Sequence, residues 1–141
     1  MTDGIDQALV NGGLDLLRAD LGPPALQVFD GAVPNGTNPS LGYVLVYATV
    51  EWPSGAEGDA LDGISGTPTV RWITHSVSTT AMAARGVQQR VRTALLNKRL
   101  TIAGLDCGLI RQEVGAGPPT RDDTTGTTVF DVVATYRTFA T

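Results

Sequence analysis

The side chains able to do chemistry are few, and their spacing limits what they can do together. His75 is the only histidine and Cys107 the only cysteine. One histidine excludes a two-histidine metal site; one cysteine excludes an intrachain disulfide and the usual Cys₄ and Cys₂His₂ zinc sites. Ser76 follows His75, but neighbours on a strand point to opposite faces, so the two do not make a nucleophile–base pair. No G-x-S-x-G elbow is present, and a Ser-His-Asp set would have to come from distant residues. Cys107 and His75 supply a thiol and a base. Yet Asp106-Cys107-Gly108 leads from a turn into a strand, with no helix N-terminus to lower the thiol pKa. The expectation is a sheet histidine near the surface and a structural cysteine, at least half-buried.

Phosphate chemistry fares no better. There is no G-x-x-x-x-G-K-[ST] loop, and Gly115-x-Gly117 has Thr120 where a dinucleotide motif needs its third glycine. Asp122 and Asp123 are adjacent acids in a turn-rich stretch, which reads as solvated. Asn35-Gly36-Thr37 fits a glycosylation sequon and reads as a turn. Arg85, Arg90, Arg92, Lys98 and Arg99 form a basic cluster, but the chain is acidic overall at −4 and no basic stripe carries interleaved aromatics. A solvated or intersubunit helix face is the reading here. No catalytic, cofactor-binding or metal-ligating residue is assigned.

The elements that would position these residues follow from periodicity. Ile5, Leu9, Leu14, Leu17 and Leu21 recur at roughly helical spacing over 5–21, with Thr2 or Asp3 as cap. Asn11-Gly12-Gly13 interrupts this helix, so it needs tertiary or intersubunit packing, or it bends. Gly22-Pro23-Pro24 ends it. Strands are expected at 25–29, 43–52 and 68–77, short extended pieces at 100–103 and 109–114, and a last strand at 127–139. A second helix spans about 79–97, with Ser78, Thr79 or Thr80 as N-cap. Its core face is Ala84, Val87, Val91, Ala94 and Leu95. Its outer face carries Met82, Arg85, Gln89 and Arg92, with Leu96 nearby. Phe130, Val132, Ala134 and Tyr136 share one face of the last strand. Val87, Val91, Leu95, Phe130, Val132 and Tyr136 are the expected core. The order predicts a single α+β domain over 1–141, a mostly antiparallel sheet with two helices packed on one face, and long loops.

Composition supports one globular domain. The chain has 141 residues, 42% apolar and 17% charged, with 17 glycines and 8 prolines scattered as turns. No run approaches the length of a membrane span. The opening MTDGIDQALV is acidic and polar, so a soluble protein of a reducing cytoplasm is expected. Residues 1–66 carry nine acids and one base, net −8, and residues 67–141 nine bases and five acids, net +4. Such asymmetry is compatible with head-to-tail association of copies, or with two differently charged solvated faces. Segments 30–42, 53–67 and 115–126 are too long and too poorly hydrophobic to build a core. That makes interaction a better reading than catalysis. Gly55, Glu57, Asp59, Asp62, Arg121, Asp122 and Asp123 are the candidate docking residues, in loops expected to be mobile until a partner orders them.

The sequence resembles the tail terminator proteins of long-tailed bacteriophages, also called tail completion or tail-to-head joining proteins. Three stretches carry the likeness, in order along nearly the whole chain. The first is Val28-Phe29-Asp30-Gly31-x-Val33-Pro34, a short gap, then Gly42-Tyr43-Val44-Leu45-Val46-Tyr47. The second is the helix from Ala84 to Leu95 with its exit Arg99-Leu100-Thr101-Ile102-Ala103-Gly104. The third is Arg121-Asp122-Asp123, a turn, then Phe130 through Tyr136-Arg137. Asn11-Gly12-Gly13 departs from the uninterrupted first helix of the family. The resemblance implies a sheet flanked by helices and copies assembled into a homo-oligomeric ring, a hexamer. Such a ring caps the tail tube, stops its growth and offers the head a docking surface. It implies the major tail tube protein and head–tail connector proteins as partners. DNA passes through the lumen without specific binding, and there is no cofactor, membrane contact or catalytic site. Other small neck proteins, the head-completion and connector proteins, share the size and style. A small ligand-binding module and a small enzyme using His75 with Cys107 or a serine are the remaining alternatives.

Overall fold

Alternation of apolar and polar residues builds one sheet, and two amphipathic helices cover one side of it. The computed structural model describes residues 2–52, 67–124 and 126–141, and only the backbone of residues 2 and 3. In order the elements are α1 (Thr2–Arg18), β1 (Gln27–Asp30), β2 (Tyr43–Glu51), β3 (Thr69–Ser78), α2 (Ala81–Leu95), β4 (Arg111–Val114), β5 (Thr120–Asp122) and β6 (Val129–Phe139). A single 3-10 turn, Pro39–Leu41, precedes β2. Among the described residues the strands make one six-stranded sheet in the order β1-β2-β3-β6-β4, with β5 also paired to β6. All pairings are antiparallel except β1 with β2. This is the α+β architecture expected, with both helices on one face.

The parallel β1–β2 pair explains the turn-rich stretch 31–42. Parallel neighbours need a crossover, since no tight hairpin can join them. Here the crossover runs Gly31 to Gly42 and is punctuated by Asn38, whose side chain accepts from Ser40 N–H at the start of the 3-10 turn.

The face under the helices is the core. Val44 and Val46 of β2, Val70 and Trp72 of β3, and Val132, Ala134 and Tyr136 of β6 are buried there. Leu9, Leu14 and Leu17 of α1 and Ala84, Val87, Val91 and Leu95 of α2 close over them. Of the expected core, Phe130 alone departs: it is half-buried, opposite Ser78 at the end of the β3–β6 ladder. Ala94 is likewise only half-buried, and Leu21 lies outside α1 and is exposed. The core face of α2 also holds Gln88, which periodicity alone did not assign to it. Its amide donates to the Tyr136 hydroxyl at 2.9 Å and its carbonyl accepts from Ser76 Oγ at 3.4 Å. Buried polar groups persist when they are paired in this way.

Helix α1 runs unbroken through Asn11-Gly12-Gly13, and packing is the reason. Trp72 reaches up from β3 and donates its indole N–H to the Val10 carbonyl at 3.2 Å. A Cβ on Gly13 would lie 2.3 Å from that ring. Gly13 admits the tryptophan, Gly12 leaves room for Leu100, and neither glycine ends the helix. Helix α2 starts later and ends earlier than its periodicity implies. Thr80 is its N-cap, accepting from Ala83 N–H at 3.1 Å.

The two helices are clamped where α1 ends. Arg90 holds Asp20 through two bonds of 2.8 and 2.9 Å and also donates to the Pro24 carbonyl at 2.7 Å. Hydrogen bonding to Arg90 keeps the Asp20 carboxyl below its usual range, against the opposing pull of burial. A carboxyl with a lowered folded pKa adds stability above its unfolded value of about 4 and loses it as pH falls through the folded pKa. Arg90→Gln is expected to cost about 1 kcal/mol at neutral pH, as a bidentate pair near the surface. The difference from wild type should shrink on acidification as Asp20 is protonated, as read by urea unfolding at a series of pH values.

Candidate functional site

The opposite face of the sheet is not covered by any described element. Its residues fall into rows across the strands. One row is Phe29, Leu45, His75 and Val133; the next is Tyr47, Ile73, Thr135 and Val114. Tyr47 is 44% exposed and Val133 39%. An antiparallel sheet commonly faces water with polar residues on one side. Here the solvent side carries Leu45, Tyr47, Ile73 and Val133 over its middle.

Charged groups bound this apolar patch at both ends. At one end Arg71 pairs with Glu51 at 2.6 Å and with Glu113 at 2.9 Å, and Arg137 reaches Glu113 at 3.5 Å. A bulge between Gln112 and Val114 turns Glu113 toward this ladder. The four charges balance. At the other end His75 Nδ1 lies 2.8 Å from Asp131 Oδ2, while Asp131 Oδ1 is buried with no hydrogen-bond partner among the described residues. Tyr43 lies two strands from Asp131, with Val77 of β3 between them in the register. Burial, then the charges of Asp131 and Asp122, raise the Tyr43 hydroxyl pKa. This end is net acidic.

The His75–Asp131 pair supplies two members of a hydrolytic triad. Among the described residues no hydroxyl or thiol hydrogen-bonds the His75 ring; its neighbour is Tyr47, edge-on with ring centres 5.5 Å apart. Ser76 is buried on the helix side of the sheet, as strand alternation requires. Cys107 is buried in a bridge to Ala140, and burial and Asp106 push its thiol pKa up, away from nucleophilic use.

The second uncovered surface is the outer side of α2. Met82 is 80% exposed, and Arg85, Gln89 and Arg92 are exposed in line with it. Of the basic cluster read from sequence, Arg90 is taken by Asp20, and Arg99 donates to the Cys107 carbonyl at 2.6 Å. Among the described residues no carboxylate pairs with Arg85 or Arg92.

The fold has a solved counterpart. One chain in a structure titled virion of native gene transfer agent (GTA) particle matches with a TM-score of 0.60 at 18% identity. The match covers 92% of this chain and 92% of that one. No protein-family model and no curated protein matches the sequence. The agreement extends over nearly the full length of both chains. Identity this low carries the fold and leaves residue roles to the chemistry of this chain.

The expected docking loops fare unequally. Gly55, Glu57, Asp59 and Asp62 lie outside the described residues. Arg121 and Asp122 do not sit in a free loop, because Thr120–Asp122 is a strand paired to β6 at Asp131, Phe130 and Val129. Asp122 Oδ1 accepts from Thr124 N–H and Oγ1, and Asp123 accepts from Arg121 and Thr128. These bonds hold both carboxyls below their usual pKa. The stretch keeps its conformation through strand pairing and local hydrogen bonds, which apolar content alone did not reveal. Removing 117–123 would therefore remove a strand.

Proposed function

We propose that this chain is a structural protein of a phage-like virion, a tail terminator whose copies form a hexameric ring. The observation that carries the reading is the fold shared, over 92% of both chains, with a chain of a gene transfer agent virion. The tail-terminator motifs fall on coherent parts of that fold. Val28–Asp30 and Tyr43–Tyr47 are the paired strands β1 and β2, Ala84–Leu95 is α2, and Phe130–Arg137 is β6. Two uncovered faces on one small domain suit a protein that works by contact with copies and neighbours.

In this role the ring sits at the tail–neck junction of the virion, after synthesis in the cytoplasm of the host bacterium. It caps the last ring of the tail tube protein and presents its other side to the head–tail connector. DNA crosses the lumen without being read, and no residue does covalent chemistry. The test is removal of the gene from the particle that encodes it, followed by electron microscopy of lysates. Tails of uncontrolled length beside filled heads are expected. Tails of normal length that fail to join heads would overturn the terminator role in favour of a connector. Normal particles would overturn both.

A further inference from the structure

The two uncovered faces are complementary, and we infer that the outer face of α2 from one copy seats on the open sheet face of the next. This inference rests on the ring reading and says which surfaces close the ring.

The helix side offers Met82, Arg85, Gln89 and Arg92 along one stripe, and no described carboxylate neutralises its two guanidinium groups. Arg85 and Arg92 are seven residues apart, about 10 Å along the axis. The sheet side offers an apolar patch centred on Tyr47, Ile73 and Val133, flanked by Asp131 and Asp122. Asp131 keeps 28% of its side-chain surface exposed, and its Oδ1 is buried with no hydrogen-bond partner among the described residues. The balanced ladder of Glu51, Arg71, Glu113 and Arg137 at the far end gives an arriving cation no net attraction. The charge pattern therefore sets polarity: arginines go to the Asp131 end, and Met82 goes to the apolar patch.

A second copy is the occupant because both complementary halves belong to one chain and point away from each other. The sheet lies between its own helices on one side and the open face on the other. Docking α2 of a neighbour on the open face repeats the same contact indefinitely. A repeated contact between two different surfaces is heterologous, and it closes into a ring when the rotation per copy divides a circle. In the ring each sheet is covered on both faces, by its own helices and by a neighbouring α2.

Heterologous pairing makes a distinctive prediction. The helix-side variant Arg85→Glu with Arg92→Glu and the sheet-side variant Val133→Arg should each fall to monomers, with subunit affinity reduced about 100-fold or more. The substituted positions are exposed, so both variants should keep the wild-type circular dichroism and unfolding midpoint. Tyr47→Arg replaces Val133→Arg if the latter misfolds. Mixed in equal amounts, the two monomeric variants should associate, because one retains an intact sheet face and the other an intact helix face. Native mass spectrometry reads the mixed species directly. Either variant assembling like wild type, or a mixture that stays monomeric, overturns this pairing while the ring stands. Wild-type protein that stays monomeric at high concentration overturns the ring in solution, and the pairing with it.

Discussion

Val91→Asp is expected to abolish the folded state. Val91 is fully buried in the middle of α2, facing the core formed with β3, β6 and α1. The substitution forfeits about 1.5–3 kcal/mol of apolar burial. It also places a carboxylate where no described cation waits, which costs several kcal/mol more. A domain of this kind has about 5–15 kcal/mol in total. Insoluble protein, or soluble protein without a cooperative thermal transition, is the expected outcome. Val91→Ala is the graded control: two methyls lost at about 0.8 kcal/mol each, plus a small cavity, should leave a folded but less stable protein. A soluble Val91→Asp protein with a sharp transition near that of wild type would show that α2 presents another face to the sheet.

How much of this was legible in the sequence depends on the range of the interaction. Helix α2 was legible because Ala84, Val87, Val91 and Leu95 keep one period over about three turns and nothing interrupts them. Strands β2, β3 and β6 were legible because long β-rich runs have few other ways to bury their side chains. Strand β5 was not, since Thr-Arg-Asp has no apolar alternation and exists only by pairing with β6. Nor was the parallel β1–β2 pair, a choice between partners distant in sequence.

The candidate contact surfaces divide in the same way. The outer stripe of α2, Met82, Arg85, Gln89 and Arg92, was read from helical period, and its exposure in the structure agrees. The open sheet face was hidden. Leu45, Tyr47, Ile73 and Val133 are apolar, so alternation within β2 or β3 showed two apolar sides without saying which side the helices cover. The Asp131–His75 pair needed the β3–β6 register, which joins residues 56 apart in sequence. The glycines of α1 are the clearest case of a signal with the right location and an ambiguous sense. Gly12 and Gly13 weaken an isolated helix, and only the positions of Leu100 and Trp72 reveal why they are there.

A series of glycine-to-alanine substitutions should separate those two effects. In an exposed helix interior the change gains about 0.5–1 kcal/mol, because alanine loses less backbone freedom on folding. Gly86 on the outer side of α2 has nothing within 4 Å of an added Cβ, so Gly86→Ala should stabilise the monomer by about that amount. At Gly12 the Cβ would lie 2.9 Å from two terminal methyls of Leu100, a side chain that can rotate, and the net change should be small. At Gly13 it would lie 2.3 and 2.4 Å from Cε2 and Nε1 of Trp72. That ring is fully buried, hydrogen-bonded to Val10, and flanked in the sheet by Ala48 and Tyr136, so it has nowhere to move without opening the core. Overpacking of this kind costs about 1–3 kcal/mol and sometimes more. With the contact this short, the loss should exceed the propensity gain by about 2 kcal/mol. Urea unfolding of the three variants at low protein concentration reads the order directly: Gly86→Ala above wild type, Gly12→Ala near it, Gly13→Ala well below. A Gly13→Ala protein as stable as Gly86→Ala would mean that Trp72 does not press on α1, and the helix would then owe its continuity to something other than the close approach of the indole.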